Sequence, residues 1–305
     1  MAKRDIISVL DMKDDMPELV DLAIKLKKER GKHGDPLKGK TLAMIFEKPS
    51  TRTRISFDVG ITELGGHALY LDAGKMQFGH GETVEDTANV MSRFVHGIMY
   101  RAFDNKVMLA LAKNAQIPII SGLDDLEHPC QALADMVTIK EKLGGFRGKK
   151  LVYLGDGNNV CNSLLYAAAI MGIDMVACCP AIRMPNAEIM WNATKIAEAN
   201  GSKIIASHEP EKACIDADVL YTDTWISMGD KTSEEEAIKI FKPYQVNDDL
   251  IAIAKPTCIV MHCLPAHRGQ EITNEVMEGP HSVVFDQAEN RLHAQKAVLY
   301  TLMKD

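Results

Sequence analysis

Short apolar runs alternate with helix-length amphipathic stretches along most of the chain, and this rhythm limits the fold more than any other feature. Runs at 41–46, 68–71, 97–100 and 117–121 read as buried strands, and 150–154, 174–178, 203–206, 219–222, 258–261 and 283–285 continue the series. Strand and helix in alternation predict an α/β fold, with parallel sheets covered by helices on both faces. The 305 residues suffice for two domains at the usual ~150 residues each. The glycine-rich basic interruption Gly144-Gly145-Phe146-Arg147-Gly148 follows a helical run near the midpoint and marks the boundary. We expect two doubly wound lobes, residues 1–145 and 146–286, with the active site in the interdomain cleft. A strong helical pattern at 287–305 ends the chain, with packing back on the first lobe as one option.

Apolar residues make up 46% and charged residues 25%, which disfavours a disordered or fibrous chain. Lys and Arg number 35 against 42 Asp and Glu, a net charge of −7. No general attraction to nucleic acid or an anionic membrane follows, so any anion site must be local. No apolar run has the length of a membrane span and no signal-like segment opens the chain, so a cytoplasmic location is expected. Seven cysteines are an odd number without an export signal, and reduced thiols are the expectation.

In open α/β sheets ligands sit beyond the carboxyl ends of strands, so polar clusters directly after predicted strands are the places to look. In Phe46-Glu47-Lys48-Pro49-Ser50-Thr51-Arg52-Thr53-Arg54 a strand ends and a helix begins, collecting hydroxyls, free N–H groups and guanidinium donors where the helix dipole favours an anion. Helix capping by Ser50 or Thr51 with solvated arginines is the alternative. A glycine-rich polar loop containing Gln77 follows the second strand, and Arg101 directly follows the third. His128, before Pro129, falls at a helix N-terminus, where the dipole disfavours imidazolium and leaves a neutral donor; a structural histidine is the plainer reading.

In the second half, Gly155-Asp156-Gly157-Asn158-Asn159-Val160 invites a dinucleotide reading, but Val160 replaces the third glycine and no acid ends the next strand. Asn159 is a polar candidate there. Asp223 stands at a strand end, available to an ammonium group or to cap a turn. His262 and Cys263 are adjacent and should point to opposite faces of an extended segment, and no C-x-x-C pair completes a zinc set, so no metal site is expected.

Ser50-Thr51-Arg52-Thr53-Arg54, His128-Pro129-Cys130-Gln131, Asp223-Thr224-Trp225-Ile226-Ser227-Met228-Gly229, His262-Cys263-Leu264-Pro265 and Gln287-Ala288-Glu289-Asn290-Arg291-Leu292, in this order, resemble the carbamoyltransferase family, its ornithine branch best. The resemblance spans nearly the whole chain. It implies a carbamoyl-phosphate-binding first domain and an ornithine-binding second domain, transferring the carbamoyl group to the δ-amine of L-ornithine to give L-citrulline and phosphate. It further implies direct attack without a covalent enzyme intermediate, no cofactor, a place in arginine metabolism, in the biosynthetic or the catabolic direction, and a homotrimer or a multiple of one.

Carried over, Ser50, Thr51, Arg52, Thr53, Gln77, Arg101, His128, Gln131 and Arg291 hold carbamoyl phosphate, with a neighbouring subunit's site as one option for Gln77. Asn159, Asp223, Ser227, Met228, Cys263 and Leu264 hold ornithine. Arg101, His128 and Cys263 are the catalytic candidates: the first two meet the developing oxyanion with Thr53, and Cys263 orients the neutral amine. Gln270 stands where the branch usually has an acid, and Cys130 at a position that varies between branches. Aspartate, putrescine or an acylated ornithine as acceptor, a non-catalytic relative and a nicotinamide-linked dehydrogenase are the rival readings.

Overall fold

The computed structural model describes residues 3–77, 81–226 and 231–304. It divides into two compact units, Met1–Val137 with Glu289–Asp305, and Thr138–Ala288. The first unit carries α1 (Met16–Lys28), β1 (Thr41–Phe46), α2 (Thr51–Glu63), β2 (His67–Asp72), α3 (Val84–Phe94), β3 (Gly97–Arg101), α4 (Asn105–Asn114), β4 (Ile119–Leu123) and most of α5 (Pro129–Leu143). Its four strands run parallel in the order β2-β1-β3-β4. β1 and β3 are nearly all apolar because helices bury both faces of a parallel sheet. Ala43, Ile45, Ile98, Tyr100 and Ile119 pack with Ala88, Met91, Met108 and Leu111 of α3 and α4. The N-terminal segment lies along the β4 edge, pairing Ile6 with Ile120 in parallel.

The second unit carries β5 (Lys150–Leu154), α6 (Asn159–Met171), β6 (Asp174–Cys178), α7 (Ala187–Asn200), β7 (Ile204–Ser207), α8 (Pro210–Cys214), β8 (Val219–Thr222), α9 (Glu234–Phe241), α10 (Asp248–Ile253), β9 (Ile259–His262) and α11 (Asn274–Met277). The last helix, α12 (Val284–Met303), begins in this unit and ends in the first. Five parallel strands take the order β7-β6-β5-β8-β9. Val152, Leu154, Val176, Leu220 and Val260 form one face of the core, against Ala213, Leu250, Val276 and Val284.

In each sheet the chain reverses direction once, between β1 and β3 and between β5 and β8. These switch points open a crevice at the carboxyl ends of the strands, where ligands of doubly wound sheets bind. The expected strand at 283–285 is absent. Ser282 makes only an isolated bridge to Val260, and α12 starts at Val284. Three apolar residues are too short a run to separate a strand from a first helical turn; Val284 is buried and Phe285 exposed.

Candidate active site

In the first unit β1 delivers the chain to Ser50, whose extended backbone and side chain cap α2 by accepting the Thr53 N–H at 3.3 Å. The Ser50 hydroxyl also reaches Thr53 Oγ1 at 3.0 Å. Arg101, ending β3, donates to that same Thr53 oxygen and to the Gly122 carbonyl, each at 3.5 Å. Arg291 of α12 donates to Thr53 Oγ1 at 3.2 Å and to Gln131 Oε1 at 2.8 Å. Gln131 Nε2 is anchored on Asp135 at 2.8 Å. Thr53, Arg101, His128, Gln131 and Arg291 are all buried, so two guanidinium groups meet one hydroxyl away from water.

His128 is held neutral. Burial depresses its pKa well below 6.5, and the charges of Arg291, Arg101 and Arg52 push the same way. The structure thus brings Ser50, Thr53, Arg52, Arg101, His128, Gln131 and Arg291 into one positively charged, hydrogen-bonding group. Thr51 is exposed as the first residue of α2. Gln77 lies exposed after the turn Ala73–Lys75, and no described contact joins it to this group. Sequence reasoning passed over Lys48. Its ammonium is buried 4.7 Å over the Phe103 ring, and burial followed by the nearby Arg101 charge lowers its pKa. Its place two residues before the Ser50 cap was the available signal.

In the second unit Asn158 caps α6, its Oδ1 accepting the Val160 and Cys161 N–H groups at 2.9 and 3.2 Å. Its Nδ2 donates to Asp223 Oδ2 at 2.8 Å, and Tyr153 OH donates to its Oδ1 at 3.2 Å. Cys263 donates its thiol to Asp223 Oδ1 at 3.0 Å. Asp223, Cys263 and, through the α6 terminus, Asn159 therefore share the carboxyl end of this sheet. Beside the expected Asn159, the cap residue Asn158 also meets Asp223, and its place before an apolar helix is the signal that marks it. Ser227 and Met228 lie outside the described residues.

His262 and Cys263 do not diverge as expected. β9 ends at His262, and Leu264 turns the backbone with φ +61°, so ring nitrogen, thiol and an Asp223 oxygen lie within 4.8 Å of one another. Both ring nitrogens are occupied: Nδ1 accepts the Leu264 N–H at 2.9 Å, and Nε2 faces buried Glu271 at 3.1 Å. Asp223 already serves Asn158 and Cys263. A cation there would displace these bonds, so the three residues are accounted for as a hydrogen-bond network.

Gly157 also finds its reason. A Cβ there would lie 2.2 Å from the Pro185 backbone nitrogen, and Gly157 N donates to Arg183 O at 2.9 Å. The chain's own backbone occupies the close approach that a dinucleotide pyrophosphate would need.

Comparison with known proteins decides between these chemistries. Residues 4–141 match the family model described as aspartate/ornithine carbamoyltransferase, carbamoyl-P binding domain, and residues 147–302 match its Asp/Orn binding domain. The chain belongs to the aspartate/ornithine carbamoyltransferase family. A protein of Methanobrevibacter smithii named ornithine carbamoyltransferase is 54% identical over 300 residues, 98% of this chain and 99% of that one. One of Thermoplasma volcanium, named as catabolic, is 52% identical over 303 residues, 99% of each chain. The solved ornithine carbamoyltransferase of Pyrococcus furiosus superposes with a TM-score of 0.96 at 51% identity, covering 99% of this chain and 97% of that one.

Proposed function

We propose that this carbamoyltransferase uses L-ornithine, transferring the carbamoyl group of carbamoyl phosphate to the δ-amine and releasing L-citrulline and phosphate. The observation that carries the choice of amine is the Asp223–Cys263 contact at 3.0 Å. A carboxylate and a thiol suit an amine, whereas the second carboxylate of aspartate would want a cation in their place. Asn159, Asp223, Ser227 and Met228 would hold ornithine's α-amino and α-carboxylate groups, and Cys263 and Leu264 would line the path of the side-chain amine.

In the first unit Ser50, Thr51, Arg52 and Thr53 at the start of α2 would hold the phosphate with Arg101, and His128, Gln131 and Arg291 the carbamoyl group. Neutral His128 can donate one N–H to the carbonyl oxygen. As the neutral δ-nitrogen attacks, charge grows on that oxygen and is met by Arg101, His128 and Thr53, donors already in place. The C–O bond to phosphate then breaks, and the departing phosphate takes the proton lost by the nitrogen. No cofactor or covalent intermediate enters this reading.

We further propose a homotrimer or a multiple of trimers, with Gln77 serving a neighbour's site. The exposed Ile55, Tyr70, Val90 and Phe94 of the first unit offer apolar surface for such contacts. The setting proposed is cytoplasmic, in arginine metabolism; no helix among the described residues is long and apolar enough to cross a membrane.

The test is product analysis. Purified chain is given carbamoyl phosphate with ornithine, putrescine or aspartate, and ureido product and phosphate are measured. Citrulline equal to phosphate, from ornithine alone, is expected. Product from another amine would keep the first unit's role and overturn the second's.

A further inference from the structure

We propose that Glu127 is a positioning residue. Its buried carboxyl ties the segment presenting His128 to the N-terminal 3-10 turn Val9–Met12, so residues 3–12 help set the carbamoyl-holding end of the first unit. This rests on the role read above for His128.

Both carboxylate oxygens meet donors from the N-terminal segment: Ser8 Oγ donates to Oε1 at 2.6 Å and the Val9 N–H to Oε2 at 2.9 Å. The Glu127 backbone is fixed as well. Its N–H donates to Asp124 Oδ1 at 2.8 Å, and its carbonyl accepts the Asp124 N–H at 3.1 Å. Asp124 is itself buried and accepts from Asn105 Nδ2 at 2.7 Å. Upstream, the same N-terminal segment is fastened to β4. Ile6 N donates to Ile119 O at 2.9 Å, Ser121 N to Ile6 O at 2.7 Å, and Ile119 N to Asp5 Oδ1 at 2.7 Å. The residue before His128 is thus held on its side chain and on both backbone groups. Nothing in the proposed reaction itself needs a carboxyl at this place.

The ionisation of the Glu127 carboxyl is shifted by its surroundings. Burial pushes the Glu127 carboxyl up from 4.5 to about 7; the Ser8 and Val9 bonds oppose the shift, and the charges of Asp124 and Asp11 add to it. Of the charged groups around it, Asp124 and Asp11 are acidic, and Asp11 is occupied by the Ile7 and Ser8 N–H groups at 2.8 and 2.9 Å. Arg4 is turned to Asp15 and the Asp11 carbonyl, and neighbouring His128 is neutral. A neutral carboxyl keeps both contacts, since the Ser8 hydroxyl can reverse its role and accept while Val9 still donates. A folded-state pKa raised above the unfolded one means that the stability contributed by the buried carboxyl is fully present below about 4.5 and is lost as pH rises through about 7, the cost coming from desolvation of the charge while the Ser8 and Val9 bonds favour the carboxylate.

Steady-state kinetics on the full chain test this at pH 6 and 8, with inorganic phosphate as product inhibitor. At pH 6, Glu127→Ala should lower kcat/KM for carbamoyl phosphate about tenfold, as loss of hydrogen bonds of this kind does. The ornithine KM and the inhibition constant of phosphate should stay within about twofold, because neither ligand needs the carbamoyl-holding group. Glu127→Gln, which copies the neutral carboxyl, should restore native kinetics at pH 6. The ratio of the native kcat/KM to that of the Glu127→Gln protein should then stay within about twofold between pH 6 and 8, because both clamp bonds are made in either ionisation state and the ligands' own ionisation cancels in the ratio. Ser8→Ala should move the same constant in the same direction by about threefold, which keeps the test open if Glu127→Ala does not fold. The proposal is overturned if all three constants shift alike or none shifts, or if Glu127→Gln fails to rescue. An inactive native chain would instead overturn the carbamoyl-transfer reading, and the His128 role with it.

Discussion

At His128 burial and three guanidinium groups act in one direction, and the consequence can be measured without any substrate. The unfolded chain takes up a proton near 6.5 that the folded site refuses, so this residue's contribution to stability is present above 6.5 and lost as pH falls below it. Replacing His128 by Gln should therefore flatten the acid side of the stability profile, by up to about 1.4 kcal/mol per pH unit. Denaturant titrations of the two proteins at pH 7.5 and 5.5 give the comparison; parallel losses would contradict it. Cys263 yields a second prediction at this scale. Cys263→Ala removes the thiol bonded to Asp223 and should raise the ornithine KM about tenfold with an altered pH profile. An unchanged rate and profile would remove Cys263 from the mechanism. Such residues were legible when their own neighbours announced them: Ser50 to Thr53 stand between a strand, a proline and an apolar helix face. Glu271 was not legible as the partner of His262. The two come together only because the chain turns at Leu264, and nothing in the spacing foretells that turn.

Among elements, the start of α6 does two things through one side chain. Asn158 caps the helix and also orients Asp223. Asn158→Ala should cost about 1 kcal/mol of stability as a lost cap and, beyond that, weaken ornithine binding without changing carbamoyl phosphate binding. Thermal melts with parallel kinetics separate the two effects; a stability loss with an unchanged ornithine KM would reduce Asn158 to a cap. Gly157, one residue earlier, should not tolerate Ala, because the Pro185 backbone stands 2.2 Å from where the Cβ would fall. Moving that backbone should cost about 1–3 kcal/mol, seen as a lowered melting temperature. The strands were readable from short apolar runs bounded by turn residues, where run length and flanking residues, not alternation, separate strand from helix. The run at 283–285 misled because a buried first helical turn has the same short apolar signature.

For the molecule as a whole, the α/β class and the paired sheets followed from the strand–helix rhythm. The course of the last helix did not: α12 starts in the second unit and brings Arg291 to Thr53 and Gln131 in the first. The end of the chain thus completes a group begun 238 positions earlier at Thr53, which a local pattern cannot reveal. The proposed division of labour gives carbamoyl phosphate to the first unit and ornithine to the second. Steady-state constants of Arg52→Ala and Asp223→Asn, measured side by side for both substrates, test it most directly. Arg52→Ala should lower kcat/KM for carbamoyl phosphate by about 100-fold or more and leave the ornithine KM near native, and Asp223→Asn should do the reverse. Two variants that weaken both substrates equally, or an Arg52→Ala protein with native carbamoyl-phosphate kinetics, would rule this division out.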